Sequence, residues 1–509
     1  MIRLSRTKAN IASNLVGRAT AAVLGILFVP VYLRYLGVEQ YGIIGFFTTI
    51  QALLLLLDGG ISPTLNREVA RLSLSTEQAP ELRDMVRTLE IPCWITAAFT
   101  CAIALVLSPI IARYWLTSTT LDPDLVQKAL MIMSVTFACQ WIGTFYTGGL
   151  QGLQEQVLLN AVNVATAILR SVGAFLVLAL VSPTLSAFLI WQLLVTLAGS
   201  LLLYILFWRK LPRHAESPKF RRTVLMMVWR YAFGMAATSV TVLILTQADK
   251  VILSKLLTLK DFGYYVLATA FAGTGIGLII GSVQTAYYPQ LSQLAAEGKE
   301  EDLVALYHRA CQVMSFFLVP VVTLIAFFSH DILLLWTRQI DIADHAAALL
   351  TLIAIGTGLN GLMHIPYYAQ LAFGLTKIGF WQNVITILVM VPVMIYATAT
   401  YGAIGGAMSW ALINLSSTVF GLIFMHRFVL KGELGRWYIH DTGIPIVVVS
   451  AVILPFWYLD SRAGFSSLTS TAVIACAFGM AAASAVIVLP AIRRTLFGHL
   501  RTALAGVRG

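Results

Sequence analysis

Charge is scarce in this chain. Of its 509 residues only 11% are Asp, Glu, Lys or Arg, while 59% are hydrophobic; a soluble domain carries about 25% charged and 45–50% apolar residues. So much apolar surface does not fit inside one aqueous core, because such cores stop growing near roughly 250–300 residues. Cysteine is the second shortage. Cys93, Cys101, Cys139, Cys311 and Cys476 are scattered through apolar runs without a CxxC pair. That pattern excludes a disulfide framework and a thiolate metal site, and leaves the cysteines as small packing residues. Chemical motifs are the third. There is no GxxxxGK[ST], no HExxH and no cluster with metal-ligand spacing, so neither ATP hydrolysis nor a metal or other cofactor is expected and the chain does not read as an enzyme.

What is present is a series of apolar runs of about 20–28 residues, long enough to cross roughly 30 Å of hydrocarbon as helices. A transmembrane β-barrel would show short alternating segments instead. The expected fold is an all-α polytopic membrane protein with about 14 transmembrane helices, at roughly 11–33, 41–64, 91–116, 127–149, 157–181, 184–208, 231–256, 263–288, 310–335, 346–371, 377–399, 402–426, 442–459 and 467–491. Breakers or charges such as Leu36-Gly37, Ser182-Pro183 and Asp460-Ser461-Arg462 separate them. Pro30, Pro320, Pro366 and Pro392 fall inside spans, where neighbours or water satisfy the freed carbonyls. The basic start, Met1–Asn10, resembles the front of a signal peptide. The apolar run that follows continues to about Leu33 without a small-x-small cleavage site, so a retained first helix is expected.

The net charge of +11 is distributed as a topological signal, and nucleic acid is not an expected partner. With the N-terminus in the cytoplasm, cytoplasmic segments hold about 24 Lys/Arg, external segments about 7, and three lie within spans. Both termini are therefore expected in the cytoplasm. The densest block, Arg209, Lys210, Arg213, Lys219, Arg221, Arg222 and Arg230, reads as a cytoplasmic linker facing anionic lipid, or as a topological anchor only.

This linker separates two comparable halves. Pro30–Ile44 resembles Val251–Tyr265 at an offset of 221 residues: a cation (Arg34 or Lys255) ends one helix, a short polar turn follows, and an aromatic-Gly pair (Tyr41-Gly42 or Phe262-Gly263) opens the next. Gly152-Leu153-Gln154 matches Gly374-Leu375-Thr376 at nearly the same offset, and Tyr146 matches Tyr367. The expected organisation is a six-helix lobe over 1–208, a basic linker over 209–230, a second six-helix lobe over 231–426, and two extra helices with a basic tail over 427–509. An even number of helices per half makes the repeats parallel, an arrangement that places substrate sites at the repeat interface.

Asn14-Leu-Val-Gly17, Tyr35-Leu-Gly-Val-Glu-Gln-Tyr-Gly42, Leu57-Asp-Gly-Gly60 with Arg67, and Asp249–Leu257 followed by Phe262-Gly-Tyr-Tyr265 resemble the polysaccharide-transport branch of the MATE-like exporter superfamily. The resemblance covers essentially the whole chain. It implies two six-helix lobes in a V around a central cavity, and a flippase that carries an undecaprenyl-pyrophosphate-linked oligosaccharide across the bacterial inner membrane for O-antigen, capsule or exopolysaccharide. Membrane lipid, a polymerase and other glycan-assembly proteins, and H⁺ or Na⁺ are the implied partners. A cation-coupled multidrug exporter of the same superfamily and a non-transporting scaffold of a glycan-assembly complex are the rival readings.

Ionisable groups inside spans cost about 2.5–3.5 kcal/mol each at the bilayer centre, so they normally face a cavity or a partner. Arg170, near the middle of the fifth span, is the leading candidate for gripping a pyrophosphate, since its planar fork suits bidentate bonds; its alternative is a buried pair with Asp58 or a helix-end carbonyl. Arg18 either points inward or snorkels to the surface. Lys250 and Asp249 are neighbours that helical geometry separates by roughly 100°, with Lys250 a phosphate ligand and Asp249 a charge balance or ion site. Asp58 is a candidate gate or cap. Asn14, Asn163, Gln247 and Asn360, together with Asn160 and Asn383, either meet sugar hydroxyls or glue helices together. His364 reads as a packing residue. Trp94, Trp115, Trp141, Trp208, Trp229, Trp336 and Trp457 read as an interfacial belt.

Overall fold

The computed structural model describes residues 2–54, 60–73, 78–212, 214, 216–223, 225–226, 244, 246–463 and 467–495. Its regular structure is helical, and the described residues form no strand beyond one isolated backbone bridge between Thr117 and Thr258. The helices are α1 (Ile2–Leu54), α2 (Ile61–Leu72), α3 (Ala79–Ile110), α4 (Pro123–Gly152), α5 (Gln156–Leu176), α6 (Leu185–Lys210), α7 (246–256), α8 (Leu259–Glu297), α9 (Glu300–Thr337), α10 (Ile340–Ala372), α11 (Thr376–Ser416), α12 (Leu422–Phe428), α13 (Leu434–Arg436), α14 (Ile444–Ala463) and α15 (Ser467–Val488). α3 and α5 end in single π turns, and another π turn joins α11 to α12.

Eleven helical stretches among the described residues are long and apolar enough to cross a membrane. Two of them contain a glycine in backbone geometry that only glycine adopts readily: Gly37 (φ 77°, ψ 170°) inside α1 and Gly402 (φ 63°, ψ −144°) inside α11. Each glycine breaks its helix at a boundary that the sequence places between two spans. The predicted span at 231–256 lies mostly outside the described residues.

Four boundaries differ from expectation. α3 begins at Ala79, about a dozen residues before the predicted span; α8 runs on to Glu297, and α9 begins at Glu300. Polar sequence continues these helices beyond the apolar run, and hydropathy registers only the apolar part. α8 and α9 meet at Gly298, whose φ of 67° allows a two-residue turn. The predicted second span extends to residue 64. Instead Gly60 (φ 81°) starts the separate amphipathic α2, which buries Leu65, Val69 and Leu72, one helical face by their i, i+4, i+7 spacing.

The chain packs as two compact units, Met1–Gly263 and Tyr264–Gly509. In the first, α2 inserts Leu65, Val69 and Leu72 among Leu82, Val86 and Leu89 of α3, Phe145 and Leu150 of α4, and Phe207 of α6. α5 packs on α1 and α6. The start of α7–α8 is also held in this unit: Trp115 Nε1 donates to Ser254 Oγ (3.1 Å), Lys255 Nζ to the Tyr114 carbonyl, and Leu259 N to the Thr117 carbonyl (2.8 Å). In the second unit α9 pairs with α10, α11 packs on α10, and α14 and α15 pack on α9.

The repeat read from the sequence reappears as a reciprocal contact within the first unit. A Cβ on Gly42 would stand 2.3 Å from the Leu259 carbonyl oxygen, and a Cβ on Gly263 would stand 2.3 Å from the Val38 carbonyl oxygen. Gly42 and Gly263 are equivalent at an offset of 221 residues, and so are Val38 and Leu259. Residue i meets j while i's counterpart meets j's counterpart, the signature of a local twofold relation. The second match shifts slightly. After α4 the left-handed residue is Gln154 (φ 57°), and after α10 it is Gly374 (φ 75°), so Gln154 rather than Gly152 is the conformational counterpart of Gly374.

Candidate functional site

Arg170 lies fourteen residues into the Gln156–Val181 stretch, roughly 20 Å from its start at 1.5 Å per residue. It is half-buried. Nη2 donates to Thr196 Oγ1 of α6 at 3.2 Å, whereas Nε is buried without a hydrogen-bond partner. No carboxylate pairs with it among the described residues. The surrounding backbone is pinned: Gln192 Nε2 donates to the Arg170 carbonyl (3.3 Å), Trp191 Nε1 to the Leu169 carbonyl (2.9 Å), and Tyr32 Oη of α1 to the Ser171 carbonyl (3.5 Å). Hydrogen bonds from α1 and α6 thus brace the α5 backbone around a guanidinium that one hydroxyl engages.

Asn163 is exposed and sits seven residues before Arg170 on α5, hence on the same helical face and roughly 10 Å away along the axis. Arg18 of α1 is exposed and has no ion pair among the described residues. Its level is set by a neighbouring polar cluster. Asn14 Nδ2 donates to Gln156 Oε1 (2.6 Å), Asn160 Nδ2 to Asn14 Oδ1 (2.5 Å), and Gly17 abuts Asn160, where a Cβ would meet Oδ1 at 2.8 Å. Asn14 and Asn160 therefore join α1 to α5. Arg18, one residue beyond Gly17, stands near the level of Asn163, so the two arginines occupy different depths.

Lys250 and Asp249 do come together: Nζ and Oδ1 are 3.7 Å apart, and Nζ also lies 3.4 Å from the Thr246 carbonyl. The roughly 100° between neighbours on a helix is bridged by the length of the lysine side chain. Asp249 is 4% exposed. Gln247 is half-buried on the same helix. Asn360, in the second unit, donates to Asn414 Oδ1 at 2.9 Å. Asp58 lies outside the described residues, and Arg67, its suggested companion, pairs with Glu68 at 2.9 Å. His364 is half-buried, its ring 6.1 Å from that of Tyr368.

Sequence reasoning passes over Glu90, which lies one residue before the predicted third span. Within α3 it is 2% exposed. Its Oε1 accepts from Tyr146 Oη (2.5 Å) and Trp208 Nε1 (3.1 Å), its Oε2 accepts from Arg87 Nη1 (2.7 Å), and Trp94 Nε1 donates to Tyr146 Oη (3.2 Å). Trp94 and Trp208 thus use their N–H groups inside the protein, although Trp94 remains 45% exposed, and Trp141 is buried and does not join an interfacial belt. The available signal is Arg87, three residues before Glu90 at ion-pair spacing. Glu39, just past the Gly37 break, is also missed. It accepts from Ser118, Thr119 and Thr120 and ties the 117–120 segment to α1. Two described residues of the basic linker dock on α3: Arg221 Nε meets Asp84 Oδ2 at 2.6 Å, and Lys219 N donates to Asp84 Oδ1 at 2.7 Å.

Long apolar helices with isolated cations at membrane depth define a multi-pass membrane protein of the transporter class. The chain belongs to the polysaccharide biosynthesis protein family, which it matches over residues 7–295. It is 23% identical over 414 residues to the succinoglycan biosynthesis transport protein ExoT of Rhizobium meliloti (strain 1021), covering 80% of this chain and 76% of that protein. It is 20% identical over 404 residues to a putative O-antigen transporter of Shigella flexneri, covering 78% and 93%. Its fold is similar to that of the lipid II flippase MurJ (TM-score 0.67, 17% identity, 93% of this chain and 97% of that one) and of a MATE family multidrug resistance transporter (TM-score 0.68, 14% identity, 83% and 95%). These relatives are transporters, in keeping with a chain that is not an enzyme.

Proposed function

We propose that the protein is a flippase that moves a polyprenyl-pyrophosphate-linked oligosaccharide from the cytoplasmic to the outer leaflet of the inner membrane, with both termini cytoplasmic. The observation that carries this reading is Arg170: a guanidinium deep in a span, on a braced backbone, with a buried Nε that nothing engages. An uncompensated cation there costs several kcal/mol, and an arriving pyrophosphate offsets that cost through charge-assisted bonds. Arg18, at a different depth, meets the same anion at another stage of its passage, and Lys250 is the third basic group. Asn163, Gln247 and Asn360 are the candidate sugar contacts, with Asn14 adding one when its bond to Gln156 opens. Asp249 balances Lys250 or takes H⁺ or Na⁺. The driving force is an ion gradient, the membrane potential or consumption of the product outside, and only a ligand that interacts differently with two states biases their balance.

The test is surface glycan assembly in the producing cell. Arg170→Ala abolishes it while membrane insertion is retained, and Arg170→Lys, which keeps the charge but loses the fork, restores part of it. Normal glycan in Arg170→Ala removes this residue from the mechanism. The MATE-like fold keeps a drug exporter as the second reading. Three basic groups against two acidic ones among the candidate site residues disfavour cationic drugs, and drug efflux without a glycan phenotype would reverse the ranking.

A further inference from the structure

The second unit contains a cavity of about 630 Å³ lined by Arg309 of α9, Arg436 and His440 of the segment before α14, and Arg494 of the helical turn after α15, together with the apolar Val488 and Pro490. The charge imbalance there is specific. The nearby carboxylates are already engaged: Asp441 accepts from Gln312 Nε2 (2.8 Å) and faces His308 Nδ1, while Glu433 faces His308 Nε2 (2.9 Å) and lies 4.0 Å from Arg436. Arg309 and Arg494 are exposed and have no acidic partner among the described residues. The walls are fixed in place. Gln312 bridges two of them, donating to Asp441 and accepting from Ala491 N at 2.8 Å, and Ser315 Oγ donates to the Asp441 carbonyl at 2.6 Å. The three elements that meet here each follow or precede an expected cytoplasmic end of a span.

We infer that this cavity binds a phosphate diester or monoester, with the headgroup of an acidic membrane lipid as its source. Guanidinium forks match phosphate oxygens, the apolar lining residues Val488 and Pro490 suit the glycerol and upper chain of an amphiphile, and basic pockets between helices on the cytoplasmic side suit anionic headgroups. This rests on the orientation proposed above. Binding is measured on purified full-length protein, so its failure leaves the transport reading untouched, and the reverse also holds.

The experiment titrates delipidated protein in nonionic detergent with short-chain phosphatidylglycerol, and separately with inorganic phosphate, following intrinsic fluorescence and the melting midpoint. Arg309→Gln/Arg494→Gln lowers phosphatidylglycerol affinity at least tenfold. The same charge removed elsewhere, Arg427→Gln/Arg493→Gln, changes it less than twofold. Arg309→Lys/Arg494→Lys keeps part of the binding and covers the case in which the glutamine variant fails to fold. Inorganic phosphate binding with the same arginine dependence supports the site and moves its source to solution. Equal losses in the two glutamine variants, or unaltered affinity in the first, would overturn the inference.

Discussion

Adding one methyl group to Gly42 places its Cβ 2.3 Å from the Leu259 carbonyl oxygen and 3.3 Å from Gly263 N, and adding one to Gly263 places it 2.3 Å from the Val38 carbonyl oxygen and 2.8 Å from Val38 Cγ1. Cβ contacts under 3.0 Å essentially never occur, so Gly42→Ala and Gly263→Ala must each push the segments apart by about 0.7 Å. The opposing atoms are helix backbone, which does not swing aside as a side chain does. Overpacking of this kind costs about 1–3 kcal/mol, equivalent to a fall of roughly 2–12 °C in melting midpoint for a unit of this size. Because the contact is reciprocal, the two single variants lose similar amounts. One separation relieves both clashes, so the double variant loses less than the sum. Gly25, where an added methyl group would find nothing within 4 Å, is the control: Gly25→Ala gains helix propensity and does not destabilise. The assay is thermal unfolding of detergent-purified protein followed by size-exclusion chromatography. A neutral single variant, or strictly additive losses, refutes the reciprocal-contact reasoning.

Other effects follow from the satisfied networks. Tyr146→Phe removes the 2.5 Å bond to Glu90 and the acceptor of Trp94; a bond to a charged group is worth about 1.5–3 kcal/mol, and the loss is read as a lower melting midpoint, with an unchanged midpoint counting against the network. Asn160→Ala removes the bonds to Asn14 and Ser13. Interhelical bonds in membranes average about 0.6 kcal/mol with a maximum near 1.7, so a small drop in midpoint is expected, and a loss of glycan export with no such drop would instead make Asn160 a cargo contact.

Hydropathy and glycine report directly on some features of the fold. The break at Gly37 falls between expected spans and the break at Gly402 falls on the first residue of one, because a helix interior rejects their backbone geometry. The Tyr41-Gly42 and Phe262-Gly263 pairs are legible as a repeat, though not as partners, because a reciprocal contact leaves no trace in a linear sequence. The expected spans fall short of α3, α8 and α9, since polar turns continue a helix without adding hydropathy. Glu90, Glu39 and Asp441 stay hidden because each sits beside an apolar run and draws partners from far along the chain, such as Tyr146 for Glu90, 56 positions away, and His308 for Asp441, 133 positions away. Arg170 is legible because an arginine amid leucine, isoleucine and valine is conspicuous, but its single hydroxyl partner emerges only in three dimensions.

The hidden carboxylates bear on how Arg170 should be read. Glu90 is served by a tyrosine, a tryptophan and an arginine, Glu39 by hydroxyls and backbone amides of three consecutive residues, and Asp441 by a histidine, a glutamine and, through its carbonyl, a serine. These three carboxylates are thus compensated as the cost of an unpaired buried group requires, whereas Arg83 Nε and Asp460 Oδ1 are buried without a hydrogen-bond partner among the described residues. Arg170 differs from the three carboxylates: it lies fourteen residues into a long apolar stretch, has one hydroxyl partner, and keeps a buried Nε without any. Arg221 draws Asp84 and Arg87 draws Glu90, while Arg83, whose Nε is also unpartnered, has the Pro212 carbonyl and the Trp208 ring; among the described residues Arg170 has only the Thr196 hydroxyl. Under the proposed function the unengaged donors of Arg170 would meet an anionic headgroup, whereas a guanidinium already locked to a carboxylate would first have to break that pair.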